Sequence, residues 1–288
     1  MPELPEVETV RAQIEPHIVR KKITKIVVNK PKLTGNDEDF EKKLIGESFT
    51  GIDRIGKLMI FRLQKNSNEG LLAHLKMTGQ FIFADADGQL AGGGHTISES
   101  DLNLPTKHSH IIFYFEDGSK LYFNDMRQFG YIKFASNQKI NKTINGYGIE
   151  PMTDNYTWEN FKKLFTKNRR TNIKAFLLNQ KIISGLGNIY VDEALFKAKI
   201  HPTRLVNTIT EAEQKKLFPA CESVMKEALN NGGTTFYSFT RADGSKGNHS
   251  DYLLVFNRQG ELCVDCDTEI EKIKCAGRGT HFCPKCQV

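Results

Sequence analysis

The chain has 288 residues, a formal charge of +6 and 26% charged side chains. That length accommodates two domains with a sizeable core, and the positive balance favours a polyanionic partner without defining one. No apolar run approaches the roughly 20 residues that a membrane-spanning helix needs, and the acidic start lacks the basic-then-apolar layout of a secretory signal, so a reducing, cytoplasmic setting is expected.

The first residues are "MPELPEVETV". Glu3, Glu6 and Glu8 suit a helix start, where carboxylates complement the exposed N–H groups. Removal of Met1 would also turn Pro2 into a free secondary amine beside those acids, which is an arrangement that can do chemistry. Val7, Val10, Ile14 and Ile18 recur at helical spacing, with Pro5 near the first turn, where its missing N–H costs nothing. From about residue 22 to 135 the pattern changes to short strands, "ITKIVVN", "KLMIFRL", "GQFIFA", "HIIFYFED", "KLYFND" and "YIKFA", whose spacing predicts a β-sandwich or barrel-like domain. Residues 84–106 read as a long polar loop, and 136–153 as a polar interdomain linker.

Helical periodicity follows. Trp158, Phe161 and Phe165 line one face after a Thr157 cap. A second helix opens on a capping box, Thr210 with Glu213, and closes on Gly232 and Gly233. Its buried stripe is Leu217, Cys221, Val224 and Ala228, which makes Cys221 an inert core thiol.

Five of the six cysteines crowd the last 26 residues, which is no disulfide framework. Cys263 and Cys266, then Cys283 and Cys286, form two CxxC knuckles, each offering two thiolates from one tight turn. Together they complete a tetrahedron around a single structural Zn²⁺ with no open position. Cys275 has the wrong spacing for a ligand and is expected to pack. Between the knuckles Gly277 and Gly279 flank Arg278, predicting a tight turn that carries a guanidinium at the tip of a zinc-braced hairpin. An exposed arginine is ordinarily just solvated, but its fork of donors also suits phosphate.

"SGLGNIYVDEALF" sets Gly185, Gly187 and Asn188 directly before a helix, a place where backbone N–H groups can face an anion. Upstream, residues 162–181 carry seven Lys or Arg and no acid. A charge run is commonly a solvated helix face; one so one-sided, beside such a turn, points instead to two helices gripping a sugar-phosphate backbone.

The motifs "PELPEVET", "RQFG" (127–130), "GLGNIY" (185–190) and "GRGTHFCPKCQ", spread over the whole length, resemble those of the bacterial formamidopyrimidine-DNA glycosylases. The resemblance implies an α+β fold of two domains. A catalytic β-sandwich with flanking helices would occupy 1–137 and a linker 138–153. A helix-two-turn-helix domain would follow at 154–240, and a base-recognition loop with a four-cysteine β-hairpin zinc finger at 241–288. It implies a monomeric, bifunctional DNA glycosylase and abasic-site lyase of base excision repair, acting in the bacterial cytoplasm on double-stranded DNA that carries oxidised purines or abasic sites, with no membrane partner.

In that family the mature N-terminal proline, here Pro2, attacks C1′ of the damaged nucleotide and forms a Schiff base. Glu3 matches the general acid and Glu6 a second acid that positions. Lys57 matches the proton donor for β-elimination and Arg278 the residue assigned to δ-elimination. His74, His108, Arg127, Arg169 and Asn188 match DNA contacts, and Met77, Arg127 and Phe129 a wedge that fills the vacated stack. Gln128 and Met126 depart from the family's usual arginine and proline. Three other readings compete. An endonuclease VIII type would act on oxidised pyrimidines, but it carries "PEGPE" rather than "PELPE". A DNA clamp without catalysis is opposed by retention of Pro2, Glu3 and Lys57. A zinc-ribbon RNA-binding protein leaves the N-terminus unexplained.

Overall fold

Two antiparallel sheets form around one aromatic core. In the computed structural model, which describes residues 1–94, 103–166, 170–233, 240–241 and 249–288, the chain divides into two compact units, Met1–Asn145 with Asn231–Asn248 and Gly146–Asn230 with His249–Val288.

The first unit opens with helix α1 (Leu4–Ile18) and strand β1 (Ile23–Val28). A short helix α2 (Phe40–Leu44) leads to β2 (Phe49–Ile55), β3 (Leu58–Leu63), β4 (Glu69–His74), β5 (Gly79–Ala84), β6 (Leu90–Gly94), β7 (Ser109–Phe115), β8 (Lys120–Asp125) and β9 (Tyr131–Ser136). One sheet runs β2-β3-β4-β9. The other runs β1-β7-β8-β5-β6 and ends on β10 (Thr240–Arg241). Phe49 and Phe61 of the first sheet meet Phe113 and Phe81 of the second at ring-centroid distances of 6.0 and 5.4 Å, and Phe81 packs on Phe123 at 5.0 Å. These tilted and edge-on pairs close the sandwich. Helix α1 packs on both sheets and buries the whole predicted stripe of Val7, Val10, Ile14 and Ile18. Gly92 permits that approach, because a Cβ there would stand 2.2 Å from the Phe81 carbonyl oxygen and 2.8 Å from Ile14.

All six predicted strands are present, as β1, β3, β5, β7, β8 and β9. The 84–106 stretch is not simply a loop, since β6 lies inside it, paired to β5 from Ala84↔Leu90 to Gln80↔Gly94. Residues 95–102 of that stretch lie outside the described residues. The expected linker also differs. Helix α3 (Asn137–Ile144) starts within it, capped by the Ser136 hydroxyl, and buries Ile140 against the sandwich. Residues from 146 onward pair inside the second unit, where Gly148 N–H donates to Gln180 and Ser184 N–H to Ile149. After the last long helix the chain returns to the first unit, and β10 pairs with β6. Helix α7 itself ends at Asn230.

The second unit contains α4 (Trp158–Lys163), α5 (Ile173–Leu178), α6 (Asn188–Lys197) and α7 (Glu211–Asn230), followed by the hairpin β11 (Glu271–Cys275) and β12 (Arg278–Phe282). Helix α7 carries the predicted capping box, with Thr210 N–H donating to Glu213 and Glu213 N–H to the Thr210 hydroxyl. Cys221 is fully buried on this helix, and burial pushes its thiol up to about 12.

One cation of the 162–181 run departs from the expected solvated or phosphate-facing role. Lys174 is completely buried, donating to Asp192 at 2.7 Å, to the Thr280 hydroxyl at 2.7 Å and to the Gly279 carbonyl at 3.3 Å. The other Asp192 oxygen accepts the His281 N–H at 2.9 Å. The ion pair thus ties α5 and α6 to β12. Truncating one partner of a buried pair strands the other charge and costs about 3–5 kcal/mol. Lys174→Met should lower stability by that amount in urea unfolding, and adding Asp192→Leu should recover part of it. Equal stability of Lys174→Met and the parent would exclude this role.

Candidate active site and nucleic-acid interface

Pro2 and Glu3 are buried at the head of α1. Glu3 is the N-cap residue, and its N–H donates to the Glu6 carboxylate at 2.8 Å. Glu6 is therefore engaged with the backbone next to Pro2. One turn further on, Glu8 accepts from Arg11 and from Arg54 Nε (2.7 Å), while Arg54 also donates to the Gly56 carbonyl at 2.9 Å. Burial would raise the Glu8 carboxyl, but the hydrogen bonds from Arg11 and Arg54 outweigh it and hold the group below its ordinary value. This cluster fastens the β2–β3 turn, which bears the buried Lys57, to the helix that bears Pro2.

His74 ends β4. Its Nδ1 accepts the Lys76 N–H at 2.9 Å across a turn in which Lys76 is left-handed (φ 54°). Burial, with the nearby Lys76 and Lys57 ammonium groups, lowers the imidazole to about 3, so the ring is neutral at ordinary pH. As a DNA contact His74 would offer an N–H and no charge.

Met77, Arg127 and Phe129 come together on two adjacent loops. The Arg127 guanidinium donates to Met77 Sδ at 3.2 Å and lies over the Phe129 ring at 4.8 Å. Met77 is 38% and Phe129 53% exposed, two apolar side chains that share one guanidinium at the surface. Beneath them sits Asp125, fully buried, a residue that no sequence motif singles out. It takes hydrogen bonds from the Thr78 hydroxyl, from Arg127 N–H at 3.2 Å and from Gly130 N–H at 2.7 Å. Its own N–H donates to the carbonyl of His108, at the start of β7, and its carbonyl meets His110 Nε2 at 2.9 Å. His108 is half-buried there, its ring edge-on to His110.

In the second unit α5 and α6 are joined by two turns. Gln180 pins them, donating to the carbonyls of Leu178 and Leu186 and accepting Gly185 N–H. Gly187 is the N-cap residue of α6 and has no side chain with which to cap it. Asn188 Nδ2 donates to the Gly279 carbonyl at 3.0 Å, which links this helix start to β12. Arg169 lies outside the described residues, as do residues 242–248 of the expected base-recognition loop. Arg278 differs slightly from expectation. The turn is Ala276–Gly277, both left-handed, and Arg278 is the exposed first residue of β12, paired with Cys275. Cys275 is buried with its Sγ directed to the Pro202 carbonyl at 3.6 Å, outside the metal site.

The sulfurs of Cys263, Cys266, Cys283 and Cys286 all lie within 4.8 Å of one another, with Cys263–Cys286 at 3.9 Å and Cys266–Cys283 at 3.5 Å. Thiolates about 2.3 Å from a tetrahedral zinc stand about 3.8 Å apart, so the donor set fits Zn²⁺ and leaves no open position. Gln287 buttresses the second knuckle, accepting Cys283 N–H and donating to the Ile200 carbonyl.

A β-sandwich whose chain start is a buried proline–glutamate pair, with a helix-two-turn-helix and a four-cysteine finger, defines a class of DNA-repair glycosylases. The family model for the N-terminal domain of formamidopyrimidine-DNA glycosylase matches residues 1–132, that for its H2TH domain 147–240, and that for the zinc finger found in FPG and IleRS 260–288. The formamidopyrimidine-DNA glycosylase of Listeria innocua is 40% identical over 100% of both chains. Two solved structures cover 99% of both chains: the Lactococcus lactis Fpg with DNA containing an abasic site (35% identity, TM-score 0.84) and the wild-type L. lactis enzyme with DNA containing an oxidised pyrimidine (36%, TM-score 0.85). The chain belongs to the formamidopyrimidine-DNA glycosylase family.

Two outcomes follow from this geometry. Unfolded His74 takes up a proton near its ordinary 6.5, the folded ring only near about 3. Between those values the unfolded state holds the additional proton, so acidification across that window costs stability. His74→Asn, which keeps an acceptor near the Nδ1 position but does not titrate, should lose less stability than the parent between about pH 6.5 and about pH 4 in denaturant titrations; parallel pH profiles would exclude the assignment. Zinc removal withdraws binding energy on the order of 10 kcal/mol from the finger. Chelation should therefore disorder 260–288 while the amides of β7 and β8 stay protected from hydrogen exchange; a finger that stayed protected after verified metal loss would contradict the bracing role.

Proposed function

We propose that the protein is a bifunctional DNA glycosylase and abasic-site lyase of base excision repair, acting on oxidised purines such as 8-oxoguanine and formamidopyrimidines in duplex DNA. The observation that carries this reading is the placement of Pro2 at a buried, capped helix start, beside Glu3 and held by the same cluster as the Lys57 turn.

Once Met1 is removed, Pro2 presents a secondary amine rather than an amide nitrogen. An α-amino group titrates near about 8, so a useful fraction is unprotonated at neutral pH. Its lone pair forms a bond to C1′, the glycosidic bond breaks and the base departs with that bond's electron pair; the nitrogen then sheds its proton and forms the C=N bond as the C1′–O4′ bond breaks. Glu3 supplies a proton to the ring oxygen as the sugar opens. The resulting iminium is permanently positive because the amine is secondary, and it acidifies C2′–H. Loss of that proton expels the 3′ phosphate, and a second elimination expels the 5′ phosphate. Lys57 serves the first elimination as a proton-transfer group. Arg278 serves the second by stabilising the departing phosphate, since a guanidinium is a far better anion partner than acid.

Exposed Arg127, Met77 and Phe129 suit entry into the stack: two apolar groups replace the displaced base while the guanidinium bonds its orphaned partner. His74, His108, Asn188 and Arg169 are assigned to phosphate and sugar contacts, with the positive end of the α6 dipole on the same side as Asn188. The protein works as a monomer, in the compartment that holds the genome. The L. lactis complex with oxidised-pyrimidine DNA favours oxidised pyrimidines as a second substrate class.

Borohydride trapping tests the chemistry. The mature protein should form a covalent adduct with abasic-site duplex that maps to Pro2, and Pro2→Gly should trap at least about tenfold more slowly. An adduct on another residue, or full activity with Met1 retained, would overturn the mechanism. Parallel duplexes carrying 8-oxoguanine or an oxidised pyrimidine rank the two substrate classes.

A further inference from the structure

We propose that Asp125 is a positioning residue for base displacement, its buried carboxylate locking the Met77 loop and the Arg127–Phe129 loop into one rigid wedge before DNA arrives. This rests on the reading of Met77, Arg127 and Phe129 as the elements that enter the stack.

The carboxylate sits below both loops. Oδ1 takes the Thr78 hydroxyl, one residue after Met77, and the Arg127 N–H; Oδ2 takes the Gly130 N–H. Thr78 Oγ1 in turn accepts the same Arg127 N–H at 2.9 Å, so one carboxylate, one hydroxyl and one amide form a closed triangle joining the loops. The two backbone amides bracket Gln128 and Phe129, and Gln128 is left-handed (φ 55°), a conformation a loose loop would abandon. Gly130 must lack a side chain, since a Cβ would meet the His74 carbonyl oxygen at 2.8 Å and Asp125 Oδ2 at 3.1 Å.

A fully buried carboxylate is a costly way to fill space. It is also an acceptor-only group with two oxygens, able to take donors from two segments at once. Serine has one oxygen to offer, and asparagine would turn an NH₂ towards a donor. The apolar side chains this anchor supports, Met77 and Phe129, are solvent-exposed, and Arg127, which touches both, is itself carried on the anchored loop. Their arrangement depends on the backbone beneath, and a wedge ordered in advance does not have to be ordered during base displacement.

The experiment compares two substrates under single turnover: a duplex with a paired 8-oxoguanine, which requires stack entry, and a single strand with an abasic site, which does not. Asp125→Asn should slow excision from the duplex by roughly ten- to a hundredfold while changing cleavage of the single strand by less than about threefold. Thr78→Val, which removes only the hydroxyl link, should give a smaller loss of the same kind, and the double variant less than the product of the two. Hydrogen exchange without DNA should quicken at the Arg127 and Gly130 amides of Asp125→Asn, with β7 unchanged. Equal losses on both substrates, or an unaffected duplex rate, would overturn the proposal. Should Asp125→Asn not fold, Thr78→Val carries the same comparison. If the parent protein cleaves neither substrate, the proposed function fails, and the exchange data still decide whether the carboxylate fastens the loops.

Discussion

A chain end ordinarily frays, because nothing beyond it holds it and the first N–H groups of a helix lack partners. Here the opposite holds. Helix α1 is buried along Leu4, Val7, Val10, Ile14 and Ile18 against both sheets, and its first turn is closed by Glu6 reaching back to the Glu3 amide. The nucleophilic role proposed for Pro2 would require such a fixed start. The aromatic contacts between the sheets, the missing side chain at Gly92 and the Glu8–Arg54 pair all serve to seat this helix. The pair extends the constraint to Lys57, since Arg54 also grips the carbonyl just before it.

The second unit solves a different problem with similar means. A finger of fewer than thirty residues has little core of its own, and a hairpin bearing Arg278 would wander on metal ligation alone. Lys174 and Asp192, sealed from water, reach β12 from two helices and fix the hairpin relative to the α6 start. Asn188 makes a third link to the same strand. Arg278, for which a phosphate role is proposed, thus stands at the end of a braced strand rather than on a free loop.

What can be read in advance depends on how local the physics is. The α1 stripe, six strands, the α7 capping box and the two CxxC knuckles each declare themselves within a few residues. Strand β6 does not, because Ala-Gly-Gly-Gly has no alternation to detect and pairs through its backbone alone. Helix α3 hides for a related reason: Ile140 is its only buried residue, so its composition reads as a connector. Pro2, Glu3, Glu6, Lys57 and the wedge residues are legible as motifs. Asp125 is not, as its partners include a hydroxyl 47 positions away and its value appears only when two loops are seen together. Lys174 escapes detection because burial of a single cation within a basic run leaves no trace in composition.

The return of the chain to form β10 carries a consequence for how the molecule is made. Among the described residues, the β6 edge of the six-stranded sheet is paired by 240 and 241, which are made after the α4–α7 helices. The first unit is therefore discontinuous in sequence and is completed late in synthesis. A fragment ending near 145 would leave the ribosome with one flank of its larger sheet uncovered, the kind of flank through which nascent chains stick to one another. Cutting the gene after residue 145 would part β10 from the sheet it completes.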